Sequence, residues 1–289
     1  MKRFLSAFIA LVGLAWGVEI LSATGAVASA PGNPWAVREH ALTLTGLGSF
    51  ALMSLAMVLA TRPARLERFF GGMDRIYRVH KWAGILAVGF AVLHWLVELS
   101  DDLIKTLWGR EGRLPKDHGG GLLEAMRDVA EELGEFAIYA LLAMLVLTLW
   151  KRFPFRIWRY VHKGMPVLYL ALAFHAAFLA PLDYWTQPVG VLLAGLLAAG
   201  SVASVVVLAG RIGQDRRVGG VVESVRDAGA GVTEVVCRLD EGWRGHRPGQ
   251  FAFATSDSSE GPHPYTIASS WNDNNRRITF VTKELGDHT

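Results

Sequence analysis

The chain has 289 residues, 29 Lys+Arg against 26 Asp+Glu for a formal charge of +3, and 52% hydrophobic against 19% charged residues. It is too apolar and too lightly charged for a disordered chain, and its basic excess is too small and too dispersed for a nucleic-acid face. The single cysteine, Cys237, excludes an internal disulfide framework and any multi-cysteine zinc or iron–sulfur site.

From the N-terminus, the apolar residues fall into six runs: Phe4 to Leu21, Ala41 to Ala60, Trp82 to Val97, Phe136 to Trp150, Val161 to Leu179 and Val189 to Leu208. A bilayer is crossed by about 20 residues of helix. Runs of this length without period-2 alternation are helices, the third to fifth being completed by their polar flanks. The first run sits between Met1-Lys2-Arg3 and Ala28-Ser29-Ala30, an imitation of a secretory signal with its cleavage site. Its length, Glu19 within it and Pro31 directly after the cut favour an uncleaved helix.

Loop charge sets the orientation, because Lys and Arg gather on the cytoplasmic side. The loop after the second run holds Arg62, Arg65, Arg68, Arg75, Arg78 and Lys81, and the loop after the fourth holds Lys151, Arg152, Arg156, Arg159 and Lys163. The loop after the third run is acidic, with Asp101, Asp102, Glu111, Asp117, Glu124 and Asp128 among others. The expectation is a multi-pass protein of a bacterial-type plasma (inner) membrane with both termini cytoplasmic. The acidic outer loop reads as a solvated loop, with attraction of cations as the functional alternative.

After residue 211 the composition turns to short β-branched segments between turn residues. Val218 to Val225, Val232 to Leu239, Gln250 to Ala254, Tyr265 to Ser269 and Arg277 to Thr282 read as five strands of a small antiparallel barrel or sandwich. Cys237 lies in one of them and reads as a buried small hydrophobe.

Four of the nine histidines fall in or beside two apolar runs: His80 and His94 in the third, His162 and His175 in the fifth. A polar ring in lipid is costly and needs a partner, either a neighbouring helix or a function. Separations of 14 and 13 residues place the rings of each pair about 20 Å apart along the normal. Both runs have the same direction, so His80 meets His162 at the inner level and His94 meets His175 at the outer. Two neutral imidazoles facing at one depth suit a haem with axial ligands on both sides, whereas zinc lacks its third and fourth ligands. In an ideal helix 14 residues return within about 40° of the starting face and 13 end about 140° away. Gly164 and Pro166 therefore predict a distortion between His162 and Leu168. Arg78, Lys81, Arg159 and Lys163 bracket the inner pair, as membrane anchors or as partners of haem propionates. His40 reads as interfacial, His118 and His246 as surface residues.

The segments Arg247-Pro248-Gly249-Gln250-Phe251 and His263-Pro264-Tyr265-Thr266-Ile267-Ala268-Ser269-Ser270, with the two histidine pairs, resemble the ferric reductase-like transmembrane family, which includes the NADPH oxidases and membrane ferric reductases. The resemblance implies a mainly α membrane protein: a six-helix transmembrane bundle over 1–211, then over 212–289 part of an antiparallel β-barrel of ferredoxin-reductase type that binds FAD. It implies two b-type haems, held by His80 with His162 and by His94 with His175. It puts Tyr265 against the flavin ring and Thr266 near its reactive edge. His263 would lie near the ribityl or diphosphate portion, beside Pro264, and Gly286 and Thr289 would contact the diphosphate.

The expected function is electron transfer from cytoplasmic NAD(P)H through FAD and two haems to ferric chelate or oxygen on the outer side. No side chain is expected to act as a catalytic acid or base. Nothing here supplies a nicotinamide site or a Gly-rich phosphate fingerprint, so a nicotinamide-binding domain or subunit in trans is expected. The rivals are a haem b subunit serving a quinol or a periplasmic partner without its own flavin, and a non-enzymatic membrane binding protein.

Overall fold

The computed structural model describes residues 2–22, 33–113, 120–150, 152–255 and 262–283. His118, Gly286, Thr289 and the Ala28-Ser29-Ala30 segment lie outside them. The chain divides into two compact units, Met1–Ile212 and Gly213–Thr289.

The first unit is helical: α1 (Lys2–Ser22), α2 (Pro34–Ala60), α3 (Ala64–Phe70), α4 (Met73–Trp108), α5 (Gly121–Leu149), α6 (Phe155–His162), α7 (Met165–Leu179) and α8 (Pro188–Leu208). Five of them, α1, α2, α4, α5 and α8, are long and apolar enough to cross a membrane. The sixth expected helix is not among these spans, because the fifth run is divided between α6 and the 15-residue α7, and the break falls in the 162–168 interval where a distortion was expected. Pro166 has no N–H to give to the carbonyl of His162, so the ladder is interrupted there. Gly164 N instead tightens onto Val161 O at 3.0 Å, and Val167 N and Leu168 N both turn to Gly164 O at 3.0 and 3.2 Å. A new helix then starts with its proline in the first turn, where a missing donor costs nothing.

α2 is the hub of this unit and packs against α1, α4, α7 and α8. Asn33 caps it by accepting from Trp35 N at 3.0 Å, and Pro34 opens it. Its middle, including Ala51, Leu52 and Leu59, is buried. Tyr169 of α7 joins that core: its ring stacks on Phe50 at 5.4 Å, and its hydroxyl lies 2.9 Å from Ser54 Oγ and donates to Leu196 O at 3.0 Å. One side chain thus ties α7 to α2 and α8, and Gly200 makes room for it, since a Cβ there would run into the Tyr169 hydroxyl and ring.

α1 also packs on α2 and α8. Its Glu19, 6% exposed, shares a hydrogen bond with Tyr184, and Trp16 Nε1 donates to Thr43 Oγ1 at 3.1 Å. His40 stands edge-on to the Trp16 ring at 6.2 Å. The acid-rich segment is largely helical, because α4 runs on to Trp108 and α5 starts at Gly121. Its carboxylates meet cations of the same chain: Asp101 pairs with Lys105 at 2.6 Å and Arg113 at 2.9 Å, and Glu98 with Arg38 at 2.8 Å. Such pairing offsets the attraction for external cations that the composition alone suggests.

The second unit has β1 (Gly220–Gly229), β2 (Val232–Leu239), β3 (Phe251–Ala254), β4 (His263–Thr266) and β5 (Arg277–Lys283). They form two antiparallel sheets, β1-β2-β5 and β3-β4, linked by an isolated bridge between Ile267 and Phe280. The described strands make no closed barrel: β3 and β4 form their ladder only with each other, and β1 is exposed along its whole length. The core is correspondingly small, with Ile267, Ile278 and Phe280 buried and Cys237, Leu239, Trp243, Ala252 and Tyr265 against them. Cys237 packs between Val222 and Ile278 in the ladder, and burial pushes its thiol pKa up.

His246 is not the surface residue that its basic turn suggested. It accepts from Trp243 Nε1 at Nδ1 (3.1 Å), so its proton is on Nε2, which donates to Ser269 O at 3.1 Å. Trp271 closes a third side at 5.4 Å.

Two outcomes are expected. Tyr169→Phe removes the hydroxyl contacts and lowers stability by about 1 kcal/mol, and Gly200→Ala, which drives a methyl into the ring, costs about 2 kcal/mol; both are read as Tm in detergent. His246 has its pKa lowered, chiefly by burial, so its contribution is complete above the ordinary value of 6.5 and is lost as pH falls below it, when a second N–H would face Trp243. Hydrogen exchange at Ala268 and Thr279 should accelerate beyond its intrinsic rate between about pH 7 and 5, and His246→Phe should remove that excess.

Candidate functional site: two facing histidine pairs

α4 carries His80 and His94, α6 ends on His162 and α7 carries His175. The continuous α4 keeps its two histidines on one side by their spacing. The break before α7 resets the phase of the other two. The result is two pairs: His80 with His162, ring centroids 6.2 Å apart and planes at 80°, and His94 with His175, 6.3 Å apart and at 85°.

The helices that carry these rings pack mainly elsewhere, α4 on α2, and α7 on α5 and α8. Behind the rings, backbone carbonyls fix the tautomers. His80 Nδ1 is 3.0 Å from Ala56 O, His94 Nδ1 3.0 Å from Leu42 O, and His175 Nδ1 2.7 Å from Ala130 O. A carbonyl only accepts, so in each case Nδ1 carries the proton and Nε2 keeps the lone pair. Among the described residues no group of three or more His, Cys, Asp and Glu comes together for a metal, so each level presents two imidazole donors.

Close approach of α2 and α5 to the outer rings depends on two glycines. A Cβ on Gly46 would lie 3.1 Å from the His94 ring, and one on Gly134 would collide with the His175 ring. Sequence reasoning passed over both. Gly134 had left a signal: glycine inside a helix costs about 1 kcal/mol relative to alanine, and an isolated one amid Glu132-Leu133 and Glu135 calls for a packing reason.

His162 differs from the other three, because its Nδ1 is buried with no hydrogen-bond partner among the described residues. Its ring lies instead on Trp158, with centroids 4.8 Å apart and planes at 17°. Of the cations around the inner level, Arg78 pairs with Asp74 at 2.8 Å and Lys163 Nζ sits 5.0 Å over the Tyr160 ring.

In the second unit, His263 and Tyr265 point to the half-buried side of β4, and Pro264 and Thr266 are exposed. Tyr265 packs on Phe280 at 5.8 Å and lies opposite Ala252, in the small core. The two residues that the resemblance assigns to flavin ring and edge thus face opposite sides of the strand, as period-2 alternation requires.

Long apolar helices of this number are those of a multi-pass membrane protein. Residues 45–173 match the family model described as ferric reductase like transmembrane component. That stretch contains His80, His94 and His162, and His175 lies two residues beyond its end, so this part of the helical unit is similar to a ferric reductase-like transmembrane component, a likeness that suggests transmembrane electron transfer. No curated protein matches the chain.

Proposed function

We propose that the helical unit is an electron conduit that binds two b-type haems, one between His80 and His162 and one between His94 and His175. The ring separations carry this reading. Two imidazoles bound to one metal at about 2 Å each have centroids about 6 Å apart, against 6.2 and 6.3 Å here. The donor chemistry agrees, since a neutral imidazole with its other nitrogen bonded to a carbonyl is a well-oriented ligand that brings no charge into lipid. When bound, haem supplies a one-electron carrier at each level.

The chain's own residues do the rest. Ala56, Leu42 and Ala130 carbonyls hold three ligand rings in one tautomer and one orientation. Gly46 and Gly134 let α2 and α5 come close enough to do so, and the surrounding apolar helices exclude water. In this reading α6, the turn at 163–164 and α7 serve together as a sixth crossing. Charge bias in the Arg- and Lys-rich loops supports an orientation with both termini on the cytoplasmic side of a bacterial-type plasma membrane. Electrons pass outward, from NAD(P)H through FAD to the inner and outer levels, and then to ferric chelate or oxygen. The nicotinamide site is supplied in trans or by a further domain.

A second reading is favoured by one observation. Tyr265 packs on Phe280 within its own core, which leaves Thr266 and Pro264 as the exposed part of the segment assigned to the flavin. The helical unit would then work as a haem subunit that receives electrons from a separate flavoprotein or exchanges them with a quinol.

Purified protein should contain two haems per chain with a low-spin bis-imidazole spectrum. His94→Leu or His175→Leu should leave one haem, and Gly134→Val should reproduce that loss by displacing the His175 ring. A colourless protein overturns the reading. Flavin released on denaturation supports the FAD route, and its absence from haem-replete protein selects the second reading. Parallel assays with ferric chelate and oxygen identify the acceptor, with the activity lost in His94→Leu.

A further inference from the structure

Three of the four ligand rings are held from behind by a backbone carbonyl, and His162 is not. Its Nδ1 is buried and has no hydrogen-bond partner among the described residues, and the ring belongs to the last residue of α6, just before the turn at 163–164. What it has instead is the face of Trp158, one helical turn earlier, nearly parallel at 17° and 4.8 Å away. Trp158 is itself anchored: its Nε1 donates to Thr148 Oγ1 of α5 at 2.9 Å, and that hydroxyl donates to Met144 O at 2.7 Å. A relay of α5 backbone, Thr148 and Trp158 therefore ends on the ring of His162.

We infer that Trp158 is the positioning residue of the inner ligand, fixing the His162 ring plane by stacking where the other three rings are fixed by hydrogen bonds. The inference rests on the haem reading above. Two consequences follow from general chemistry. An imidazole whose N–H donates to a carbonyl is the more basic donor, so towards a haem held at this level His80 would be the stronger donor and His162 the weaker. With no hydrogen bond to restore it, the orientation of the weaker ligand depends on the stack. A carbonyl acceptor polarises the ring as well as holding it; the indole face holds it only.

The test is electron paramagnetic resonance and redox titration of the full chain, wild type and variants. The inner-level signals are assigned as those that survive in His94→Leu. In Trp158→Leu, with two haems per chain retained, the inner low-spin signal should shift and give way in part to a high-spin form that binds carbon monoxide when reduced. The outer signal should stay as it is. Thr148→Val, which only cuts the anchor, should move the inner signal in the same direction to a smaller extent, and Trp158→Phe should restore it.

Haem-replete Trp158→Leu with both signals and both potentials unchanged overturns the inference, as does an equal change at both levels. If Trp158→Leu does not accumulate, an unchanged inner signal in Thr148→Val overturns it. A colourless wild-type protein overturns the haem reading and this inference together, whereas each of the other results leaves the haem reading standing.

Discussion

An imidazole N–H inside an apolar bundle is costly without an acceptor, and meeting that need for three of the four rings organises the helical unit. The acceptors used here are main-chain carbonyls of neighbouring helices: Ala56 and Leu42 on α2, Ala130 on α5. A helical carbonyl already accepts one bond and has a second lone pair to offer, so the ladder survives while a ring is fixed. The geometry requires α2 to lie close behind α4, and α5 close behind α7. Glycine at 46 and 134 is what permits that approach. With their backs occupied in this way, the ring-bearing helices need not pack face to face, and the rings bridge the interval between them.

The break between α6 and α7 follows from the same requirement. Thirteen residues of regular helix would send His162 and His175 to different sides. A proline in a helix interior costs about 3 kcal/mol or more. At 166 it sits in the first turn of a new helix, where most of that cost is avoided. The tightened turn at 161–164 then satisfies the donors that a simple interruption would strand in lipid. Tyr169 fastens the restarted helix to α2 and α8 within one turn of the break, so the altered phase is carried rigidly toward His175.

Much of this was legible in the sequence because it depends on period and composition. The apolar runs, the two histidine spacings and the phase conflict at Gly164 and Pro166 are all arithmetic on positions. What was not legible depends on contacts between distant segments. The Tyr169–Gly200 fit joins two helices through a side chain and a missing Cβ, and neither residue announces the other. Acidic residues between 98 and 111 read as an open loop because charge pattern records solvation and not pairing, whereas Arg38 and Lys105 bind them. His246 looked exposed because Arg244 and Arg247 flank it; the two tryptophans that enclose it are distributed across the turn and a later loop. In the second unit β2, β3 and β5 lie close to the expected ranges, whereas β1 ends four residues later and β4 (His263–Thr266) begins two residues before the expected Tyr265 to Ser269. Closure was not legible, since it depends on which edges pair, and β3 and β4 form their ladder only with one another.

The two histidine levels are chemically unequal although their ring separations nearly coincide. In the His94–His175 pair both rings have a carbonyl behind them and a glycine that seats them, so both are held by backbone. In the His80–His162 pair one ring is held in that way, and the other sits on the end of an eight-residue helix, secured through an indole. A backbone-held ring can move only if a helix moves. A side-chain-held ring can move by a rotamer change. The inner level is thus the more adaptable of the two, and it is the one next to the turn where the fifth run is broken. The turn that corrects the phase of His175 also takes His162 beyond reach of the main chain, so the asymmetry arises from the 13-residue spacing itself.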